Sequence, residues 1–163
     1  MAIELTWLGH GTWLIETAGK RIVLDPFLDE NPSAPVKADE IQADFLLVSH
    51  GHFDHMADAA AIAHRTGATV VANYEITAWL ESKHAVQNVL GMNLGGGVRL
   101  PFGHVKMTLA FHSSMLPDGS NGGSPGGFLL TLDGGKRIYF ACDTAVFEDM
   151  RRIGAPGIDL AVL

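Results

Sequence analysis

Four side chains able to bind a metal ion fall within six consecutive residues, namely His50, His52, Asp54 and His55. They directly follow residues 45–48, an apolar run that predicts a buried strand. In extended backbone, side chains two residues apart project to the same side, so His50 and His52 can reach one ion together. A helix predicted from residue 56 places Asp54 and His55 at its entrance, facing a neighbouring point. This stretch therefore offers two adjacent sets of ligands.

A second interpretation of the same stretch is a histidine-rich turn in which Asp54 caps the following helix. Packing explains neither the clustering nor the spacing of the histidines, so metal binding is the favoured interpretation. The two roles are also compatible, because a carboxylate has two oxygens.

Two further polar residues stand at the ends of apolar strands. His112 follows residues 105–111, and Asp143 follows residues 137–142. Taken singly, His112 is more typical of a loop histidine and Asp143 of a helix cap. Both occupy the same kind of strand end as His50, and loops at such ends carry much of the chemistry of layered folds. We therefore add both residues to the candidate ligands.

The elements that must position these residues alternate between strands and helices. Strands are predicted over residues 3–8, 12–17, 21–24, 45–48, 68–72, 98–102, 105–110, 128–132, 137–141 and 158–163. Helices are predicted over residues 56–65, 74–83 and 145–153, and long loops over residues 26–39 and 113–127. This alternation favours a layered α/β or α+β body.

Composition limits the class of protein. A chain of 163 residues with 47% hydrophobic content predicts one domain over residues 1–163 with a sizeable core. A net charge of −7, with no lysine or arginine cluster larger than a pair, argues against a nucleic-acid partner. No apolar stretch approaches the ~20 residues of a membrane span, and no secretory signal is visible. The single cysteine, Cys142, suits a reducing compartment, so we expect a cytoplasmic protein that takes a small-molecule substrate.

The last predicted strand ends at Leu163 with no polar residues after it. A terminus normally trails into exposed polar sequence, so we expect the chain to lack the C-terminal part of a longer protein. An uncovered sheet edge would favour a homo-oligomer.

The motifs together resemble the metallo-β-lactamase superfamily, whose signature His-x-His-x-Asp-His is matched by residues 50–55. Within it, the chain is most similar to UPF0173-type metal-dependent hydrolases, which are related to ascorbate-phosphate lactonases. The motifs that carry this similarity lie at residues 7–12, 24–27, 91–96, 110–114 and 141–144. The resemblance covers the whole chain and implies an α+β fold, the αββα four-layer sandwich, with its C-terminal part missing. None of these motifs is specific for a substrate.

The resemblance also assigns metal ligands. It gives the first ion to His50, His52 and His112, and the second to Asp54 and His55, with Asp143 bridging both ions. The family completes its second site with a histidine downstream of Asp143, and this chain ends before such a residue.

The same resemblance also predicts roles for three other residues. Asp25 matches an acidic residue that supports the metal loop through hydrogen bonds. His10 lies on an early turn near the mouth of the site, where it could contact the substrate. Cys142 stands where the family commonly has a glycine, and we expect it to be a small buried hydrophobic residue rather than a ligand.

The implied activity is metal-dependent hydrolysis. Imidazole and carboxylate ligands suit zinc, so two Zn²⁺ ions are expected in the complete protein, with Mn²⁺, Fe²⁺ and Ni²⁺ as alternatives. A metal-bound hydroxide would cleave a small ester, lactone or phosphoester, while Asp54 orients this nucleophile and shuttles its proton. The alternative is a metal-binding protein without turnover in this shortened form.

Overall fold

Two β-sheets face each other in the computed structural model, which describes residues 2–163. The first sheet contains, in chain order, β1 (Ile3–Trp7), β2 (Trp13–Thr17), β3 (Lys20–Leu24), β4 (Phe45–Leu47), β5 (Thr69–Asn73) and β6 (Val89–Met92). The second sheet contains β7 (Gly97–Leu100), β8 (Gly103–Leu109), β9 (Gly126–Leu132), β10 (Arg137–Phe140) and β11 (Leu160–Val162), also adjacent in chain order. The first sheet begins as an antiparallel meander of three predicted strands and becomes parallel from β3 onward.

Helices cover the outer face of each sheet. Three helices, α1 (Phe53–Met56), α2 (Ala59–Thr66) and α3 (Tyr74–His84), pack on the first sheet, and α4 (Met150–Gly154) packs on the second. The order of layers is therefore helix, sheet, sheet, helix, which confirms the predicted four-layer α+β fold. Within residues 2–163, no helix is both long enough and apolar enough to cross a membrane.

Alternation of side chains along the strands separates the core into layers. In β3 and β4, Val23 and Leu46 face the helices, whereas Ile22 and Leu47 face the second sheet, and all four are fully buried. In β10, Tyr139 points outward toward Ile153 of α4, while its neighbours in the strand fill the space between the sheets. The period of two residues in the strands thus places apolar side chains on both faces of each sheet. This packing holds the strand ends that carry the polar candidates at one rim.

The single helix predicted over residues 56–65 is wrong, because the structure has two shorter helices, α1 and α2. Asp58 lies between them, and its Oδ2 accepts hydrogen bonds from the backbone N–H groups of Leu28 at 2.6 Å and Asp29 at 3.2 Å. Through these hydrogen bonds, Asp58 connects the loop after β3 to the segment between α1 and α2.

Two other elements differ from prediction. Strand β6 was not predicted, because Gly91 interrupts its apolar pattern. A Cβ atom on Gly91 would lie 2.9 Å from Oγ1 of Thr77, so glycine at this position allows α3 to approach β6. The helix predicted over residues 145–153 begins only at Met150. The residues before it are held by the loop after β8, since the rings of Phe111 and Phe147 pack 5.4 Å apart.

Candidate metal centre

The first cluster of ligand atoms consists of His50, His52 and His112. Each offers a ring nitrogen, and the three nitrogens all lie within 4.8 Å of one another. Nε2 of His50 and Nδ1 of His52 are 3.0 Å apart. Donor atoms about 2.0–2.1 Å from a tetrahedral zinc ion lie about 3.3 Å from one another. The cluster therefore has the spacing of a metal site, with ligands supplied by the loops after β4 and β8.

The second cluster consists of His10, Asp54 and His55, whose donor atoms also lie within 4.8 Å of one another. Asp54 and His55 lie within α1 rather than ahead of a helix that begins at residue 56, and His10 comes from the turn between β1 and β2. Nε2 of His10 is 3.1 Å from Oδ2 of Asp54 and 3.3 Å from Nε2 of His55. The structure thus brings His10 into contact with two predicted ligands. The sequence predicts His10 only near the mouth of the site, so its position is closer to the ligands than predicted.

Asp143 lies between the two clusters. Its Oδ2 is 3.4 Å from Nε2 of His112, in the first cluster, and 3.5 Å from Nε2 of His55, in the second. Asp143 therefore neighbours one histidine of each cluster, and its assignment as the bridging ligand stays a prediction.

Asp25 is 1% exposed and is connected to both clusters through hydrogen bonds. Its Oδ1 accepts a hydrogen bond from the backbone N–H of Ser49 at 2.7 Å, and its Oδ2 accepts one from Oγ of Ser49 at 2.6 Å. The same Oδ2 lies 2.9 Å from Nδ1 of His55. Both oxygens therefore take part in hydrogen bonds, which agrees with the supporting role predicted for Asp25. One of its oxygens also lies within 4.8 Å of ring nitrogens of His50 and His55, so these three residues form a third candidate group of ligands and the supporting role stays a prediction.

Two serines fix histidines of the first cluster, and sequence analysis did not identify either. Oγ of Ser49 is 2.9 Å from Nδ1 of His50, and Oγ of Ser113 is 3.1 Å from Nε2 of His52. In each histidine, the nitrogen that does not face the cluster has a hydroxyl partner, which holds the ring in place. Adjacency was the available signal, since Ser49 precedes His50 and Ser113 follows His112.

Comparison with known proteins places this arrangement in a family. A family profile described as "Beta-lactamase superfamily domain" matches residues 20–163. A UPF0173 metal-dependent hydrolase of Thermus thermophilus is 48% identical over 161 residues, which cover 99% of this chain and 70% of that protein. The chain belongs to the UPF0173 family of metal-dependent hydrolases. Membership in the metallo-β-lactamase superfamily is thereby established as well.

Other relatives of this UPF0173 hydrolase agree with that assignment. A UPF0173 metal-dependent hydrolase of Rubrobacter xylanophilus is 46% identical over 167 residues, covering 98% of this chain and 69% of the relative. The structure of Igni18, a metallo hydrolase from Ignicoccus hospitalis, matches with a TM-score of 0.85 at 32% identity, covering 99% of this chain and 70% of that one. The single-domain organisation over residues 1–163 stays a prediction.

The electrostatics of the UPF0173 site differ between the two clusters. In the absence of metal, burial and the neighbouring His55 lower the pKa of His50 to about 3, so this ring is neutral and free to bind an ion. Burial alone would lower the pKa of His55, but hydrogen bonds with Asp143 and Asp25 outweigh it and raise this pKa to about 10. The hydrogen bond with His55 lowers the pKa of Asp143 to about 2. His55 therefore carries a proton that a metal ion must displace.

Three residues of the UPF0173 site have left-handed backbone conformations although none is glycine. The φ angles are 49° at His10, 45° at Asp25 and 54° at Cys142, which precedes Asp143. Such conformations are strained for L-residues and cluster at functional sites. Glycine, which the resemblance predicts at position 142, adopts such a conformation without strain. Cys142 is only partly buried, not fully buried as expected; its side chain packs against the apolar layer between the sheets, where desolvation raises the pKa of the thiol well above the usual value.

An open cavity of about 410 Å³ adjoins the second cluster. Its lining includes His10, His55 and Asp143, together with the aromatic side chains of Trp7 and Trp13. A substrate in this cavity would lie directly beside the candidate ligands.

Proposed function

We propose that this chain binds two zinc ions and hydrolyses a small ester, lactone or phosphoester. The observation that carries the proposal is the convergence of ring nitrogens from His50, His52 and His112. The second cluster adjoins this first one, and the Asp143 carboxylate lies between them. The family of metal-dependent hydrolases to which the chain belongs supports the same chemistry.

The donor atoms fit the proposed ions. Separations of 3.0 Å to 3.5 Å between neighbouring donors are close to the ~3.3 Å expected around a tetrahedral zinc ion. Nitrogen and carboxylate oxygen donors suit zinc, and Mn²⁺, Fe²⁺ and Ni²⁺ can use the same atoms. The supports from Asp25, Ser49 and Ser113 set the orientation of the imidazole rings before an ion binds.

The ions, when bound, would polarise the scissile bond and lower the pKa of water. Side chains of the protein accept and return the proton that is transferred. The side chain of Asp54 is 47% exposed and lies beside the cavity residue His10, so it can accept a proton from the attacking water and return it to the leaving oxygen. His50 and His55 stay fixed by their buried hydrogen bonds, which keeps the donor set rigid during the reaction.

The cavity supports the proposed class of substrate. About 410 Å³ falls within the range of roughly 300–1,000 Å³ typical of small-molecule sites. The aromatic walls suit the apolar part of an ester or lactone. The net charge of −7 argues against a polyanionic nucleic-acid substrate. Cytoplasmic location and homo-oligomerisation are expected on sequence grounds only.

Elemental analysis of the purified chain, combined with hydrolysis of a nitrophenyl ester, a γ-lactone and a nitrophenyl phosphodiester, tests the proposal. We expect two zinc ions per chain, activity on at least one compound, loss of activity on chelation and recovery on adding Zn²⁺. His52→Ala should lose metal and activity together, while His64→Ala, which removes an exposed imidazole on α2, should keep both. Metal and activity both surviving in His52→Ala would overturn the proposal. A fully loaded chain that cleaves none of the three would instead favour metal binding without turnover.

A further inference from the structure

His10 belongs to the second cluster by distance. Its Nε2 lies 3.1 Å from Oδ2 of Asp54 and 3.3 Å from Nε2 of His55. We propose that His10 is a protein ligand of the second metal ion, together with Asp54, His55 and the Asp143 carboxylate. This inference rests on the proposed two-metal function and goes beyond it, because it assigns a ligand that the histidine signature does not contain.

The β1–β2 turn is shaped to bring the His10 ring to this place. His10 has a φ angle of 49°, and its carbonyl oxygen accepts a hydrogen bond from Nε1 of Trp7 at 2.9 Å. A Cβ atom on the next residue, Gly11, would lie only 3.0 Å from Cε1 of His55. The turn therefore approaches His55 as closely as its backbone allows, in a conformation that is strained for histidine.

Contacts of the ring support a fixed position. The His10 ring packs edge-on against Phe27, with centroids 5.8 Å apart, and against His55, with centroids 5.0 Å apart. An exposed histidine–carboxylate pair alone contributes little to stability and does not require such a turn. Coordination of one ion by all three side chains accounts for both their mutual approach and the strained backbone.

Three donor atoms face one another in the second cluster. Two are imidazole nitrogens, from His10 and His55, and the third is a carboxylate oxygen of Asp54. Nδ1 of His55 is occupied by Asp25, so its Nε2 is the nitrogen that faces His10. Zinc prefers four ligands, so three such donors leave one position for the Asp143 carboxylate, whose Oδ2 is 3.5 Å from Nε2 of His55.

Cobalt titration of the metal-free full chain tests the assignment without measuring activity. His10→Asn removes the imidazole, and asparagine tolerates a positive φ angle, so the turn should persist. His10→Gly serves as a second variant without any side-chain donor. Bound Co²⁺ is counted by elemental analysis, and its visible absorption spectrum reports on the number of nitrogen ligands. Thermal unfolding of the metal-free variants checks that they fold, and His64→Ala is the matched control.

We expect wild type and His64→Ala to bind two Co²⁺ ions, with two distinguishable steps in the titration. In both His10 variants the weaker step should shift by more than about 100-fold, beyond the roughly 10–100-fold loss typical of a supporting residue. Unchanged steps in either folded variant, or a wild-type chain that binds a single ion, would overturn the assignment. Zinc soaked into crystals should lie about 2.0–2.1 Å from Nε2 of His10. Failure of the hydrolysis assays would contradict the proposed function but leave these ion counts as they are.

Discussion

Oδ2 of Asp25 lies 2.9 Å from Nδ1 of His55, and both side chains are 1% exposed. The same oxygen accepts a hydrogen bond from Ser49, which in turn contacts His50. One buried carboxylate therefore joins the end of β4, which carries the first cluster, to helix α1, which carries part of the second.

Replacing Asp25 with Asn should weaken both metal sites. Asparagine has nearly the same shape and tolerates the φ angle of 45°, but its NH₂ group cannot accept a hydrogen bond. At the Oδ1 position the NH₂ group would face the backbone N–H of Ser49, and at the Oδ2 position it would face both Oγ of Ser49 and Nδ1 of His55. We expect affinity for both ions to fall about 10–100-fold and the free energy of unfolding of the metal-free protein to fall by about 1–3 kcal/mol.

Chelator competition measures the affinities of Asp25→Asn, and urea denaturation measures its stability. The matched control is Asp44→Asn, because Asp44 also accepts a backbone hydrogen bond, from Arg21, but lies outside the site. Wild-type affinity at both sites in Asp25→Asn would show that the carboxylate does not orient the ligands.

The titration of its two buried histidines should make the metal-free protein most stable near pH 6.5. The pKa of His55 is raised from 6.5 to about 10 in the folded state, so its contribution is complete below pH 6.5 and is lost as pH rises through about 10. The pKa of His50 is lowered from 6.5 to about 3, so stability falls as pH drops from 6.5 through about 3. Urea denaturation of chelator-treated protein between about pH 5 and about pH 9.5 should show this maximum.

Because His55 is protonated in the metal-free protein, metal binding should release a proton. At about pH 8 the pKa of about 10 leaves His55 protonated, and an ion that takes Nε2 must displace one proton. Calorimetric titration with Zn²⁺ in buffers of different ionisation enthalpy measures the number released. His55→Gln should lose this proton and the alkaline fall in stability together; an unchanged proton count would contradict the assignment to His55.

Much of the fold could be predicted from local pattern. The β1–β3 meander and helix α3 follow from alternation and from helical spacing, because each is decided by residues close together in the chain. Strand β6 and the α1–α2 break could not be predicted in this way. They depend on Thr77 approaching Gly91, and on Asp58 binding the backbone of Leu28, which are contacts between distant segments.

The site divides in a similar way. His50 and His52 are predictable because their spacing by two residues in extended backbone already places them together. The contact of His10 with His55 spans 45 positions, and that of Ser113 with His52 spans 61, so neither distance follows from local sequence. For His10 the local signal was a turn between two glycines, and only packing of that turn against α1 shows what it approaches.

Ser113→Ala should weaken the first metal site without destabilising the protein. The hydroxyl holds Nε2 of His52 at 3.1 Å but is exposed, so its loss should change the free energy of unfolding by less than about 0.5 kcal/mol. Affinity for the first ion should fall by about tenfold, because the ring of His52 is then free to turn. Chelator competition against Ser82→Ala, which removes an exposed hydroxyl on α3, separates this effect from a general loss of serine. Equal affinities in the two variants would show that His52 is held by its other contacts.

Cys142 should prove structural rather than metal-binding. Burial raises the pKa of its thiol, so the folded protein should react with iodoacetamide far more slowly than the urea-unfolded chain, as followed by mass spectrometry. Cys142→Ala should keep the metal content of the wild type. At a φ angle of 54°, Cys142→Gly should stay within about 1 kcal/mol of wild type, because relief of the left-handed strain offsets lost packing. Cys142→Val should lose more than about 1 kcal/mol, since a β-branched residue fits that conformation worst. Loss of metal in Cys142→Ala, with stability retained, would instead make the thiol a ligand.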